Sequence, residues 1–213
     1  MLMKGKLIST IMLLTLALGV SVALAQVSVG VKKGDWIEYQ ATFQGTPPPG
    51  HNVEWARTEV TDVQGPIIHL NITDGLSNGT VLQEDVVLNL ETGHLGDDFI
   101  IPANLSVGDT FLDYYHGSLT IIGVEDGTYG GAVRTVVLAS TALTTYYWDR
   151  ATGFLVKGVT NAGDYNMSSI VHATNMWQAQ PAGLDTTTLY AVVIAVALVV
   201  ALVVVFVVWR RNK

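Results

Sequence analysis

Cysteine is absent from the 213-residue chain, so no disulfide braces it, and neither thiolate catalysis nor a cysteine-based metal site is open to it. Basic residues are scarce where they would matter. Eleven Lys and Arg stand against 18 Asp and Glu, and Lys4, Lys6, Arg210, Arg211 and Lys213 sit at the two ends. Between residues 26 and 188 only Lys32, Lys33, Arg57, Arg134, Arg150 and Lys157 face all 18 acids, a formal charge of −12. A surface of that sign excludes nucleic acid, whose phosphates need a basic face. Anionic lipid headgroups repel it too, within a Debye length of about 10 Å. Residues 26 to 180 also lack any sustained helical period.

What is present begins at the ends. Lys4 and Lys6 precede an apolar run from Leu7 to Val22, and Ala23-Leu24-Ala25 offers small residues where a signal peptidase reads. The expectation is a signal peptide over 1–25, cleaved before Gln26, with an uncleaved anchor as the other reading. Leu189 to Trp209 is a run of 21 residues without a charge. As a helix rising about 1.5 Å per residue it spans about 30 Å, the thickness of a bilayer's hydrocarbon core. Tyr190 and Trp209 sit where an aromatic belt places them, and the basic tail 210–213 follows. Basic residues stay in the cytoplasm, so 26–177 is expected as an extracytoplasmic domain, 178–188 as a polar stalk and 189–209 as a single transmembrane helix in the cell membrane.

Within 26–177 apolar residues alternate. Ile37, Tyr39, Ala41 and Phe43 share one face; Leu82, Val86, Leu88 and Leu90 share another that Glu84 interrupts; Tyr165, Met167, Val171, Ala173 and Trp177 share a third. That is how strands with one buried face read. Turn signals such as Gln64-Gly65-Pro66, Asp74-Gly75, Thr92-Gly93, Asp126-Gly127 and Thr152-Gly153 lie mostly 10 to 25 residues apart, close enough for hairpins and too close for βαβ crossovers. The pattern predicts an all-β ectodomain of eight to ten antiparallel strands in a meander, either a sandwich or a curved half-barrel. Two echoes run through it. GDWIEY at 34–39 returns as GDTFLDY at 108–114, and VLNLETGHL at 87–95 as YWDRATGFL at 147–155. Either the domain is duplicated or its hairpins reuse one turn chemistry.

Residues 75–80, GLSNGT, fit the G-x-S-x-G nucleophile elbow with Ser77 as the attacking group. The same residues contain the N-linked glycosylation triplet Asn78-Gly79-Thr80. An elbow needs a helix directly after the serine, yet a strand pattern follows here, and none of His94, His116 and His172 carries a triad signature. The triplet has company in Asn71-Ile72-Thr73, Asn104-Leu105-Ser106 and Asn166-Met167-Ser168. Asn71, Asn78, Asn104 and Asn166 are therefore the glycosylation candidates, and no catalytic residue is assigned.

Asp97-Asp98, Asp109 with Asp113, and Glu125-Asp126 offer oxygen ligands for a hard cation without matching the EF-hand spacing. His116 with Asp113 is the nearest approach to a transition-metal pair among scattered histidines. A solvated acidic surface explains both, and no metal or cofactor is expected. Trp36, Tyr39, Trp55, Tyr114, Tyr115, Tyr146, Tyr147, Trp148 and Trp177 either pack the core or line a groove on the concave face of a curved sheet.

FIIPANLSVGDTF, TIIGVEDGTYGGAVRTVV and YYWDRATGFLVKG, with GDWIEY before them, resemble segments of uncharacterised archaeal surface proteins that have a signal peptide, a β-rich ectodomain and one C-terminal membrane helix. The resemblance covers most of the ectodomain and implies no activity or site residue. YYWDRATGFLVKG itself reads as a hairpin, with one strand over 146–149, a turn over 150–153 and the return over 154–158. The expected protein is a non-enzymatic, single-pass surface protein serving envelope structure, adhesion or ligand capture, its partners the bilayer and an envelope protein, glycan or hydrophobic ligand. The alternatives are a tethered carrier of hydrophobic or lipid ligands and, last, a secreted-type hydrolase.

Overall fold

A computed structural model describes residues 27–47, 52–96 and 99–179, with positions 190 and 194. The expected signal peptide, nearly all of the stalk and most of the expected membrane helix lie outside these residues. Among the described residues no helix is long and apolar enough to cross a membrane. Among the described residues eleven strands, one more than the turn signals suggest, carry the fold: β1 (Trp36–Gly45), β2 (Val53–Gln64), β3 (Ile67–Leu76), β4 (Val81–Asn89), β5 (Thr110–Asp113), β6 (Gly117–Thr120), β7 (Gly123–Tyr129), β8 (Ala132–Ser140), β9 (Thr144–Asp149), β10 (Leu155–Asn161) and β11 (Tyr165–Thr174).

Nine of them form one antiparallel sheet in the order β4-β3-β2-β1-β11-β10-β9-β8-β7, and β5–β6 is a separate hairpin. The sheet is thus two sequential meanders joined where the first strand pairs with the last. It is also curled. In a flat sheet β7 and β11 would lie about 19 Å apart, four spacings of roughly 4.8 Å. Yet the Trp177 indole, three residues past β11, donates to the Tyr129 carbonyl at the end of β7 (2.9 Å). One curved sheet, rather than a sandwich, resolves the open choice.

Alternation places the inner face correctly through β1. Ile37 and Tyr39 are buried while Gln40 is exposed, and Tyr39 donates its hydroxyl to the Leu155 carbonyl (2.7 Å). The expected face of β11 needs a correction. Tyr39 pairs with Val171 but Glu38 pairs with Ala173, so His172 is an extra residue. Such a bulge shifts everything after it to the opposite side. Ala173 therefore leaves the Val171 face, Thr174 comes opposite Ile37, and Trp177 lies beyond the strand.

The inner face is filled by the chain between β4 and β7. Leu95, Ile100, Ile101, Phe111, Leu119 and Ile121 from this plug are all buried, as are Val60, Ile68, Leu70, Leu88 and Trp148 of the sheet. Phe111 meets Trp148 edge to face with centroids 5.5 Å apart. Each such side chain contributes about 1.5–3 kcal/mol on leaving water, which is how a disulfide-free domain holds together.

Both sequence echoes are structural repeats. At Gly34-Asp35 the aspartate carboxylate accepts from Lys32 N, Gly34 N donates to the Val60 carbonyl and Val60 N to that of Asp35; at Gly108-Asp109 the same bonds run to Ser106 and Ile121. The second echo closes β4 and β9 alike. Asn89 N donates to the His94 carbonyl and Asp149 N to that of Phe154, and both side chains accept main-chain N–H groups of the turn. Gly93 and Gly153 close these turns at φ 75°, a conformation that favours glycine. Their carbonyls accept from Tyr114 N (2.7 Å) and Ile101 N (3.0 Å), so each turn pins one part of the plug. The expected hairpin is there too: β9 ends at Asp149, 150–153 turn, and Phe154 opens the return.

Candidate functional site

One stretch of the inner face is left open by the plug. Ile72 is buried, and it pairs with Glu84 across β3–β4. Residues directly opposite in an antiparallel pair share a face, so Glu84 points inward. Asp74, two residues on from Ile72, points the same way. These two carboxylates, with Ile72 and Val86 from the sheet and His94, Gly96, Phe99 and Tyr115 from the plug, line a cavity of about 310 Å³. It lies at the small end of ligand pockets, which run from about 300 to 1,000 Å³.

The aromatic rim is held out by the β5–β6 turn. Asp113 is buried and its carboxylate accepts from the main-chain N–H of Tyr115 (2.9 Å) and of His116, while Tyr114 N is tied to Gly93. With the backbone fixed, Tyr114 and Tyr115 stand 70% exposed, perpendicular to each other at 5.3 Å, and His94 meets Tyr114 edge-on at 6.2 Å. Large aromatics gain by burial, yet these two stand in water beside the cavity.

Two further hollows have plainer accounts. The larger, about 480 Å³, is lined by Asn104, Arg134, Thr135, Asp149 and Arg150 among others. Its charges serve the fold: Arg134 is bidentate to Asp149 (2.7 and 3.0 Å) beneath the Trp177 ring, and Arg150 binds the Leu105 carbonyl and Ser106 Oγ. The other, about 320 Å³ on the outer face, is lined by Glu38, Tyr39, Gln40, Trp55 and His172. There the half-exposed Trp55 indole lies directly on Gly75; a Cβ at that position would fall 1.9 Å from its Nε1. The glycine that opens GLSNGT is thus a seat for a tryptophan.

Ser77 is no elbow. It sits in the turn between β3 and β4, strand to strand, and its hydroxyl accepts from the Asn52 amide (2.9 Å). The glycosylation candidates occupy four different settings. Asn78 is exposed in that same turn, its carbonyl oxygen accepting from Thr80 N, and Asn166 is exposed on β11 opposite Gln44. Asn104 is exposed at φ 64°, its amide turned to Ser28 Oγ. Asn71 is half-buried within β3, its side chain hydrogen-bonded to Asp85 and Gln83.

Of the acidic residues weighed as cation ligands, Asp109 and Asp113 cap turns, while Glu125 and Asp126 lie within β7. Asp109 caps its own turn, Asp126 accepts from Thr135 Oγ1, and His116 Nδ1 sits 2.9 Å from the Asp113 cap. Asp97-Asp98 lies outside the described residues. Among the described residues no group of three or more His, Asp or Glu side chains gathers as a metal site. Of the aromatics, Tyr39 and Trp148 are core, Trp36 lies under the Arg57 guanidinium at 4.1 Å, and Tyr147 under Lys157 at 4.6 Å. Burial pushes the Tyr39 hydroxyl well above the ordinary phenol range, and burial, then the neighbouring Glu125 and Tyr147, raises Tyr129. Of the cavity's charged and aromatic residues, sequence reasoning left Asp74, Glu84 and Phe99 unassigned. Their visible trace was Glu84, the charge breaking the apolar face of β4.

No protein-family model and no curated protein matches the chain. Among solved structures it is similar to that described as "The Siderocalin Ex-FABP functions through dual ligand specificities", at 6% identity and a TM-score of 0.26, covering 75% of this chain and 80% of that one. A superposition that loose fixes neither fold nor function.

Proposed function

We propose that the chain is a membrane-anchored cell-surface protein whose non-catalytic ectodomain captures a small ligand on the inner face of its curved sheet. The supporting observation is the hairpin tip that keeps Tyr114 and Tyr115 in water at the mouth of a partly polar cavity. The anchor rests on the apolar run 189–209 and the basic tail behind it. Resemblance to archaeal surface proteins points the same way. The tethered-carrier reading is supported in a restricted form: plug side chains occupy the inner face, so the room left suits a compact amphipathic molecule better than a long acyl chain.

The test is native mass spectrometry of the full chain, extracted with mild detergent from its own membranes. A bound small molecule lost in Tyr115→Ala is expected; a bare mass for the unaltered protein overturns ligand capture. Release of the full chain by alkaline carbonate washing overturns the anchor.

A further inference from the structure

We infer that the ligand of this cavity is an organic cation, an ammonium group carried on a small apolar body. The inference rests on the ligand-capture reading and adds the chemical class. Its first ground is sign. Asp74 and Glu84 both line the cavity, and none of the described residues around it is Lys or Arg. The described ion pairs place Arg57 on Glu38 and Glu59 and Arg134 on Asp149, so Glu84 is in none of them. Asp74 is half-buried and Glu84 exposed where they line the cavity, and a cleft lined by one sign of charge draws in counter-charge more strongly than open surface does.

The second ground is the walls. Phe99 and Tyr115 border the carboxylates, and Ile72 and Val86 supply an apolar floor. Aromatic faces attract ammonium groups through their quadrupole, most of all where water is excluded. A free metal ion gains nothing from such walls, and the described residues hold no three-ligand group for one. The third ground is size. At about 30 Å³ per water, a cavity of about 310 Å³ holds roughly ten waters, the bulk of a small amine with its hydrocarbon body. A neutral sugar would need hydrogen bonds but no net negative wall, and it is the outcome the test must separate.

Titration calorimetry on the full chain in non-ionic detergent decides it. The probes are choline and phenethylamine, each against a neutral analogue of nearly the same shape: 3,3-dimethyl-1-butanol for the first, 2-phenylethanol for the second. At least one cation should bind tenfold or more tightly than its neutral partner, and Glu84→Gln should remove that preference. Because Glu84 is exposed on an edge strand, the variant is expected to fold, and an unchanged circular dichroism spectrum checks this. Equal affinity for cation and analogue, or no heat from either cation, overturns the inference. If native mass spectrometry still finds a bound molecule in that case, ligand capture stands and only the class is wrong; if it finds none, both fall.

Discussion

At the end of β4 a turn is capped by Asn89, and at the end of β9 the same turn is capped by Asp149. Their main-chain bonds match step for step, both glycines sit at φ 75°, and both glycine carbonyls hold the plug. The capping atoms live in different surroundings. Asn89 is half-buried and accepts from Glu91 N and Thr92 N of its turn, whereas Asp149 is fully buried and grips Arg134 through both oxygens. The cause lies in the strand next door. Ile67 pairs with Asn89 and Val136 with Asp149, so the two hairpins align there. β2–β3 then closes at once through Gly65-Pro66, while β7–β8 runs on as far as Gly130-Gly131. The added length includes Arg134. A charged cap is tolerated in the interior because the same extension brings its counter-ion.

The largest expected effect follows from that asymmetry. Asp149→Ala strands a mostly buried guanidinium and should cost about 3–5 kcal/mol, against about 1 kcal/mol for Asn89→Ala, which removes a neutral cap. Urea midpoints of the two variants check this, and equal losses would break the comparison. Next, Asp149→Asn installs the first turn's residue in the second. It keeps an acceptor for Thr152 N but loses the charge, for an expected cost of about 2–3 kcal/mol. Adding Arg134→Met should recover most of that loss, because no charge is then left unpaired. A double variant no better than the single one would show that the pair is not the cause.

Gly93→Ala and Gly153→Ala are the internal control. An added Cβ would lie 2.5 Å from the Leu112 oxygen in one turn and 2.1 Å from that of Ile101 in the other. Left-handed backbone alone costs an L-residue roughly 1–2 kcal/mol. Both should therefore destabilise by at least that much and to a similar degree, as read by thermal melts. Unequal losses would show that the shared backbone does not carry equal weight in the two halves.

The smallest effect concerns the seam between the halves. Tyr39→Phe loses one buried hydrogen bond, about 1 kcal/mol near neutral pH. It should also change the alkaline limb. The folded phenol is held above its ordinary value by burial, so its contribution is whole below about pH 10 and declines as the pH rises past the unfolded value. The unaltered protein should lose up to about 1.4 kcal/mol per pH unit there from this group, and Tyr39→Phe should fall less steeply in a pH series of urea titrations.

How far the sequence foretold this is uneven, for reasons that attach to particular residues. The inner face of β1 and the turn 150–153 were legible because alternation and glycine-bearing turns are local signals. Ala173 was misplaced because a bulge leaves no composition mark; His172 looks like any outward residue of its strand. The plug was not legible either. Ile100 and Ile101 are adjacent and both buried, so they show no alternation, and β5 and β6 are four residues each, too short for a period. Since the cavity exists only between plug and sheet, its lining could not be assembled from strand patterns. Only Glu84, on the wrong face for a charge, hinted at it.

The pairing of β1 with β11 has a consequence for how the molecule comes into being. Partners such as Gln40 and Ile170 are 130 residues apart, so the central ladder cannot zip until almost the whole domain has emerged. During that interval β1 and β10 each offer an open edge to any neighbouring chain. The topology thus forecasts slow, late-closing assembly and a vulnerable period that lasts until the final strand arrives.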